Sequence, residues 1–278
     1  MSKKKKKKMK ILGIPCHPLK MAVINFVNLA AFYLSGTAAA NKKFLKTLKD
    51  KYKGKRCFIV CNGPSLRPED LTKIHESGDI SIAMNMIGRV YKDTPWRATF
   101  LSATDDCAFL KKNKKVVRET ECDLKFYDER RYLLSLSAVG KKAYLAFNES
   151  LDLLDHPVFD SDITKKMPSI GTSTYVCLEF AVYLGCREIY LIGCDMSYKV
   201  NLNRDGSVTY NDAGKDHFYK SEEEAVETTG LKPNPTWQMK AAYDAAASAA
   251  KEQGFNIYNA TRGGMLESFP RVDFDSLF

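Results

Sequence analysis

Three polar segments of this sequence contain residue types that could bind a phosphorylated ligand and act on it. The first is Asn62-Gly63-Pro64-Ser65, which directly follows an apolar run at 57–61. Glycine lets the backbone come close to a ligand, proline stiffens the turn, and asparagine and serine offer side-chain hydrogen bonds. An ordinary Asn-Gly turn has the same composition. The segment therefore indicates a ligand-binding loop, with a plain turn as the alternative.

The second segment is Gly171-Thr172-Ser173, at the start of an apolar stretch that ends near Leu184. The first N–H groups of a helix have no partner within it, and the helix dipole makes this end positive. Small residues at such a helix start are therefore typical of a phosphate site. Serine and threonine also cap helices for purely structural reasons, and the sequence leaves both roles open.

Further polar residues follow predicted strands, namely Asn85, the pair Asp105-Asp106, Gly193 and Asp195. In an open parallel sheet, ligands bind beyond the carboxyl ends of the strands, so we expect these residues at one rim. Asp195 could bind a ribose hydroxyl or a metal ion, or cap a turn. The two neighbouring aspartates could hold a divalent ion on a diphosphate, or form a solvated loop.

His217 is the candidate general base. It lies within 199–233, a stretch rich in Asn, Asp, Gly, Lys and Glu that lacks apolar periodicity. A stretch of this length without periodicity predicts a functional loop, here a lid over the site. Histidine is the usual base near neutral pH, although a single histidine is also commonly structural.

The elements that must position these residues alternate along the chain. Short runs rich in β-branched and aromatic residues alternate with helical stretches, which predicts an α/β fold with a mainly parallel sheet and helices on both faces. The predicted strands are 57–61, 80–84, 99–103, 124–127, 189–192 and 256–258. The predicted helices are 68–76, 174–184 and 235–253, the last with Asn234 as a cap, Pro235 at its first position and Gly254 at its end.

The charge of the chain is concentrated at its N-terminus. Residues 1–56 hold 16 lysines and arginines and one acid, a net charge of +15, whereas the whole chain carries +10. The body from 57 to 278 is therefore mildly acidic, at −5. This distribution favours a basic tail on an enzyme and argues against a nucleic-acid-binding domain.

The eight cysteines have no CxxC spacing, and several lie in apolar runs. We expect buried free thiols and a reducing cytoplasm, because a disulfide scaffold is unusual in a chain of this size. The four scattered histidines do not complete a zinc site with them.

Residues 1–50 are predicted to form a separate basic and apolar leader helix, and 51–278 to form the catalytic domain. The stretch 21–40 is uncharged and long enough to cross a bilayer, but its asparagines, serine and glycine weaken insertion. We favour a peripheral helix held on anionic lipid by the lysines, at the inner face of the cell membrane. A helix docked on the protein, and a membrane span or signal, are the alternatives.

The order of these segments resembles a known family. Cys-Asn-Gly-Pro-Ser-Leu at 61–66 is similar to the GNGPSL signature of the MptE-like (6-hydroxymethylpterin diphosphokinase-like) domain proteins and the bacterial family-42 sialyltransferases. Cys61 departs from the glycine of that signature. The resemblance covers about 52–278, through segments at 83–85, 93–97, 171–175, 184–195, 217–219 and 257–278.

The resemblance implies a Rossmann-like nucleotide-binding domain with a lid and, in the sialyltransferases, a CMP-sugar donor. It implies that Asn62, Asn85, Thr172 and Ser173 contact the nucleotide and its phosphate. It also implies a direct, inverting displacement without a metal.

In that displacement His217 deprotonates the acceptor hydroxyl. Tyr198 and Tyr210 lie where the family places tyrosines that form hydrogen bonds with the departing phosphate.

These inferences predict a glycosyltransferase of capsule or lipopolysaccharide biosynthesis, with a nucleotide-sugar donor and a glycan or glycolipid acceptor. One alternative is a diphosphokinase that uses ATP and Mg²⁺, with Asp105, Asp106 and Asp195 holding the metal. Another is a non-catalytic nucleotide-binding component of a glycan assembly complex. The oligomeric state stays open, with a homo-oligomer among the alternatives.

Overall fold

The apolar runs of the chain become the strands of one central sheet in a computed structural model, which describes residues 10–11, 14–15, 18–148, 150, 152–211, 216–219 and 233–278. In chain order the described strands are β1 (Lys10–Ile11), β2 (Ile14–Pro15), β3 (Arg56–Val60), β4 (Ile80–Met84), β5 (Ala98–Ala103), β6 (Cys122–Asp128), β7 (Lys141–Asn148), β8 (Lys166–Pro168), β9 (Glu188–Ile192), β10 (Val200–Leu202), β11 (Val208–Tyr210) and β12 (Asn256–Asn259).

The described helices are α1 (Pro18–Leu34), α2 (Thr37–Lys46), α3 (Pro68–Ser77), α4 (Cys107–Lys112), α5 (Lys114–Glu119), α6 (Tyr132–Ser135), α7 (Asp152–Asp155), α8 (Ser173–Tyr183) and α9 (Thr236–Gln253). Short 3₁₀ turns at Ile87–Val90, Glu129–Arg131 and Asp275–Leu277 complete the described elements.

The central sheet has eight strands in the order β12-β9-β3-β4-β5-β6-β7-β8, and every neighbouring pair is parallel. The chain starts at β3, moves outward strand by strand to β8, and then returns through α8 to place β9 on the other side of β3. The direction of winding therefore reverses between β3 and β9. Such a switch point opens a crevice beyond the carboxyl ends of the two strands.

Both faces of the sheet are covered, as the alternating pattern predicts. Ile59 and Ile82 point to the face covered by α8 and α9, where most of α8 is buried on all sides. Phe58 and Val60 point to the other face, where Leu71 of α3 packs against them. Successive strand residues face opposite sides, so a strand covered on both faces must be apolar throughout.

The six predicted strands and three predicted helices are all present, with ends shifted by one or two residues. Lys141–Asn148 and Lys166–Pro168 form strands that the apolar pattern did not indicate. The predicted cap Asn234 instead exchanges backbone hydrogen bonds with Val200 and Leu202, and Pro235 occupies the cap position of α9.

The predicted lid at 199–233 is not structureless throughout. β10 and β11 pair as an antiparallel hairpin at its start. Residues 216–219 are also described, whereas 212–215 and 220–232 lie outside the described residues.

The predicted leader at 1–50 contains two described helices, and the second belongs to the packed domain. Leu45 and Leu48 are each only 3% exposed and contribute to the main core. The amide of Asn41 donates to and accepts from the backbone of Tyr144 on β7, at 2.9 Å in both directions. Helix α2 therefore packs on the domain that the sequence predicts to begin at residue 51.

The described part contains no single helix long and apolar enough to span a membrane. The segments Leu19–Leu34 and Thr37–Lys46 pass such a test only as a pair, across a bend of 76°.

The cysteines whose side chains are described are free thiols: Cys57, Cys61, Cys122, Cys177, Cys186 and Cys194. All but Cys122 are buried, as predicted from their apolar surroundings.

Candidate functional site

A cavity of about 520 Å³ lies beyond the carboxyl ends of the strands, at the switch point between β3 and β9. The loops that follow β3, β4, β5, β6, β8 and β9 form its wall, together with the end of β7, 216–217 and the start of α9. Most of the predicted site residues line it: Asn62, Gly63, Pro64, Asn85, Asp105, Asp106, Gly171, Thr172, Ser173, Gly193, Asp195, Tyr198 and His217. Ser65 and Tyr210 are the two that do not.

The turn after β3 packs tightly on the turn after β9. Gly63 N–H donates to the Gly193 carbonyl at 2.8 Å, and the Ser65 hydroxyl donates to Asp195 Oδ2 at 2.8 Å. A Cβ on Gly63 would lie 2.0 Å from Asp195 Oδ2 and 2.4 Å from the Gly193 oxygen. The glycine is therefore required by contact between two loops of the protein itself.

Asp195 serves this loop contact while also lining the cavity. Its side chain is buried, which raises the pKa of its carboxyl, and the hydroxyl and N–H of Ser65 act in the opposite direction. The Asp195 carboxylate therefore already accepts two hydrogen bonds from Ser65. Its predicted contact with a ribose stays a prediction.

Two asparagines at neighbouring strand ends present side-chain carbonyl oxygens that no described residue bonds. The Asn62 side-chain NH₂ donates to the Met84 carbonyl at 3.0 Å, and that of Asn85 donates to Asp105 Oδ2 at 3.1 Å. The Met84 carbonyl and the Asp105 carboxylate can only accept hydrogen bonds, so the NH₂ group of each asparagine must face them and each Oδ1 must point the other way. The Oδ1 atoms are buried without a hydrogen-bond partner among the described residues. A ligand with N–H or O–H donors would satisfy them.

Asn85 also has a left-handed backbone, with φ of 52°. Asparagine adopts this conformation more readily than most residues, and such conformations concentrate at functional sites. The turn directs the chain from β4 along the cavity wall.

The start of α8 faces the same cavity, where two of its hydroxyl groups have structural roles. The Thr172 hydroxyl caps the helix by accepting from the N–H of Thr174 at 3.3 Å. Thr174 Oγ1 lies 3.5 Å from the sulfur of Cys61, which ties α8 to the end of β3. Ser173 forms no side-chain hydrogen bond with another described residue. The N–H of Thr174 and Tyr175 already donate to Thr172, so the hydroxyl and the N–H of Ser173 are the groups at this helix start that a phosphate could use.

Cys61, which replaces the glycine of the family signature, is among the residues that line the cavity, but its side chain is largely buried. Its side chain is only 5% exposed and packs in the core below the turn, where it approaches both Thr174 and Cys194. The departure from the signature therefore leaves the cavity open.

The described segment 216–219 brings His217 to the first turn. The N–H of Phe218 donates to the carbonyl of Asn62 at 2.9 Å. The imidazole of His217 stacks on the ring of Tyr219, with 4.9 Å between centroids, and the guanidinium of Arg89 lies 4.5 Å from that ring. The predicted base is thus held at the cavity by a backbone bond and an aromatic stack.

The two predicted tyrosines are separated by the fold. Tyr198 lines the cavity, and burial raises the pKa of its phenol, so it stays a hydrogen-bond donor at neutral pH. Tyr210 lies on the hairpin strand β11, where it is 56% exposed and does not line the cavity. The structure does not bring Tyr210 to the predicted site.

The three aspartates of the alternative metal site all line the cavity, and each accepts a hydrogen bond from within the protein. Asp106 caps α4 by accepting from the N–H of Phe109 at 2.8 Å, and Asp105 accepts from Asn85. Among the described residues, no group of three His, Cys, Asp or Glu side chains is arranged to hold a metal ion. A Mg²⁺ ion on a diphosphate needs only one or two carboxylates from the protein, so the metal set of the diphosphokinase alternative stays a prediction.

Two arginines that follow β6 also line the cavity and were not predicted. Arg130 forms a two-pronged ion pair with Asp128, with Nε 2.8 and 2.9 Å from its two oxygens. Arg131 is 7% exposed, and its Nη1 donates to Asn25 of α1 at 2.7 Å. The sequence signal for these two residues was a pair of arginines shortly after a predicted strand. Arginines that form ion pairs on the surface give the same pattern, so the sequence did not identify them as site residues.

Comparison with known proteins gives one family and one informative fold relative. The model of the family described as "6-hydroxymethylpterin diphosphokinase MptE-like" matches residues 34–201. The structure of MAf glycosyltransferase from Magnetospirillum magneticum AMB-1 is similar, with a TM-score of 0.51 and 16% identity. The match covers 87% of this chain and 39% of that chain, so it shows a shared fold across a minor part of the larger protein.

A nucleoside-diphosphate-sugar epimerase from Pseudomonas aeruginosa, PA4631, has a TM-score of 0.22 and 11% identity over 74% of this chain and 51% of that one, which is too distant for an argument. No curated protein matches the sequence. The family model begins before α2 and ends after the turn that contains Asp195, so it includes most of the cavity wall. The chain belongs to the MptE-like family.

Proposed function

We propose that this chain is a glycosyltransferase that moves a sugar from a nucleotide donor to a glycan or glycolipid acceptor. A CMP-linked nonulosonic acid is the first candidate donor, and capsule or lipopolysaccharide biosynthesis is the proposed setting. The observation that carries the proposal is the placement of His217, the turn at 62–65 and the start of α8 around one cavity.

The nucleotide would lie between the strand ends and α8. The unpartnered Oδ1 atoms of Asn62 and Asn85 would accept hydrogen bonds from base or ribose donors. The phosphate would meet the hydroxyl and N–H of Ser173 at the start of α8, where the helix dipole is positive. The guanidinium of Arg131, whose Nε is buried without a described partner, would favour an acidic sugar.

The proposed reaction is a single inverting displacement. His217 takes the proton of the acceptor hydroxyl as its oxygen bonds to the anomeric carbon. The bond from that carbon to the phosphate oxygen breaks, and the leaving phosphate keeps the electron pair. Tyr198 donates a hydrogen bond to the oxygen on which charge develops.

Family membership and the fold shared with a MAf glycosyltransferase support a transferase. The diphosphokinase alternative would need a divalent ion on its phosphates, with Asp105, Asp106 or Asp195 as its carboxylate ligands.

A nucleotide screen by thermal shift tests the proposal. At a concentration about 100 times the Kd, a nucleotide adds roughly 2.7 kcal/mol to the free energy of unfolding, so its binding should raise Tm clearly. We expect CMP or a CMP-sugar to do so without Mg²⁺, and more than UMP or GMP. Stabilisation only by ATP with Mg²⁺ would support the diphosphokinase instead.

Binding must then be separated from turnover. Incubation with a bound nucleotide sugar and a glycan acceptor should release free nucleotide, and His217→Ala should stop the release while binding persists. Binding without transfer to any acceptor would favour a non-catalytic component of a glycan assembly complex.

A further inference from the structure

Helix α1 is docked with its apolar side facing away from the protein. Leu19, Phe26 and Leu34 are 67%, 72% and 87% exposed, and Val23 and Val27 are also exposed. Most of these positions are separated by three, four or seven residues, so they share one side of the helix. A surface helix normally turns its apolar stripe towards the core, and here the arrangement is reversed.

Largely polar contacts hold the opposite side of α1 on the domain. Asn25 accepts from Arg131 at 2.7 Å, and the buried side chain of Asn28 accepts from the N–H of Leu133 at 2.9 Å. Phe32, which is 2% exposed, adds one apolar anchor. Because the asparagines are used inward, the apolar side is kept available for a partner.

The charge near α1 identifies the chemistry of that partner. Lys20 at the start of α1 is exposed, and so are Lys42, Lys43, Lys46 and Lys49 on and after α2. A second copy of the chain would bring two strongly basic segments together, which costs electrostatic repulsion. An anionic lipid surface would attract the same lysines while it covers the apolar side.

We propose that α1 binds the surface of an anionic membrane through Leu19, Val23, Phe26, Val27 and Leu34. The helix lies along the interface, because α2 cannot continue a span across the bilayer: Leu45 is buried in the domain core. The apolar side chains enter the boundary between headgroups and acyl chains, and the lysines contact the phosphates.

This binding would place the cavity beside the membrane. Arg131 lines the cavity and is bonded to Asn25, so α1 lies directly behind one wall of the site. This step rests on the proposed function: an acceptor carried by a membrane lipid would then reach the site without leaving the bilayer surface.

Vesicle flotation with the full chain tests the membrane contact. We expect binding to phosphatidylcholine vesicles in which about a third of the lipid is phosphatidylglycerol, because this anionic lipid gives the vesicle surface a negative potential. Pure phosphatidylcholine vesicles should bind much less. Phe26→Asp/Val27→Asp should reduce binding at least about 10-fold, because both side chains leave the apolar boundary.

One further variant is the control for this experiment, and another tests the contribution of the lysines. Val158→Asp/Met265→Asp adds the same charge at exposed apolar positions outside α1, 55% and 67% exposed, and should bind like the unchanged chain. Lys42→Gln/Lys43→Gln should weaken binding about 10-fold or more, since each lysine near an anionic surface contributes to it.

Equal binding of Phe26→Asp/Val27→Asp and its control would overturn the proposal. A second result would also overturn it: the unchanged chain forms a concentration-dependent dimer, does not bind vesicles, and becomes monomeric in the Phe26→Asp/Val27→Asp variant. The apolar side of α1 would then bind a second copy of the chain. Vesicle binding does not depend on catalysis. Binding as expected without transfer from any nucleotide sugar would therefore contradict only the proposed function.

Discussion

At position 63, close contact between two loops of the protein leaves room only for glycine. Its φ is not in the left-handed range, so alanine would cause no backbone strain. The added methyl would instead overlap the Asp195 carboxylate and the Gly193 carbonyl. Overpacking of this kind costs roughly 1–3 kcal/mol, and more where backbone atoms must move.

We therefore expect Gly63→Ala to lower the free energy of unfolding by about 3 kcal/mol. Gly78→Ala is the matched control, because its φ of 69° adds strain while nothing lies within 4 Å of the new Cβ. It should cost about 1 kcal/mol. Chemical denaturation would measure both, and equal losses would mean that the two loops are not in close contact.

His217 is the residue on which the proposed chemistry depends. His217→Ala should reduce turnover about 100-fold or more and leave the Kd of the donor nearly unchanged, which is the usual effect of losing a general base. His75→Ala, at an exposed position at the end of α3, should have no effect on turnover. Steady-state kinetics with nucleotide titration separates the two quantities. Unchanged turnover would remove His217 from the mechanism.

At the scale of elements, α8 contains an unusual buried carboxyl group. Glu179 is completely buried and accepts one hydrogen bond, from the N–H of Asp160 at 3.1 Å. Burial raises the pKa of Glu179 well above its ordinary 4.5. The unfolded chain therefore loses this proton at a lower pH than the folded chain, and stability falls as pH rises between the two pKa values.

Glu179→Gln should consequently stabilise α8 packing at pH 7, with a gain of roughly 1 kcal/mol or more in the free energy of unfolding. The gain should shrink below pH 4.5, where the unfolded glutamate is also protonated. Glu252→Gln, exposed at the end of α9, is the control and should change little. Denaturation between pH 4 and pH 8 tests this, and a difference independent of pH would contradict the raised pKa.

The central strands buried on both faces were predictable from composition, whereas β7, β8, β10 and β11 were not. The apolar runs of β3, β4 and β9 identify central strands from composition alone. β7 begins with two lysines, one of them exposed, and β8 has three residues, so neither shows a clear period. The hairpin of β10 and β11 is hidden in a polar sequence, and β11 is exposed throughout.

At the scale of the whole molecule, α2 packs on the main body, whereas the predicted domain begins at residue 51. Residues after α2 join the main body: Asp50 N–H donates to the Tyr183 carbonyl at 3.0 Å and Tyr52 N–H to that of Leu184 at 2.7 Å. Leu45 and Leu48 pack beneath them. α2 is therefore a structural part of the domain, although its lysines and alanines resemble a tail.

Truncation would measure this contribution. Deletion of 1–50 should cost about 3–6 kcal/mol more than deletion of 1–35, because burial of each leucine contributes roughly 1.5–3 kcal/mol. Calorimetry on both truncated chains gives the comparison. Equal Tm values would return α2 to the leader and restore the boundary at residue 50.

Local patterns in the sequence determined the order of strands and helices, the buried free thiols and the loops that carry polar residues. Each depends on neighbours along the chain, through hydrophobic period, turn chemistry and composition. They also predicted that Asn85, Asp105, Asp106, Gly193 and Asp195 share one rim, because parallel strands end on one side.

Only the tertiary structure decided which side chains are already engaged. It showed that Asp195 bonds Ser65, that Tyr210 lies on an exposed hairpin, and that α1 faces outward with its apolar side. These outcomes depend on contacts between residues that are far apart in the sequence, such as Asn25 and Arg131, which are 106 positions apart. Local pattern carries no information about such contacts, since they form only when the sheet brings distant loops together.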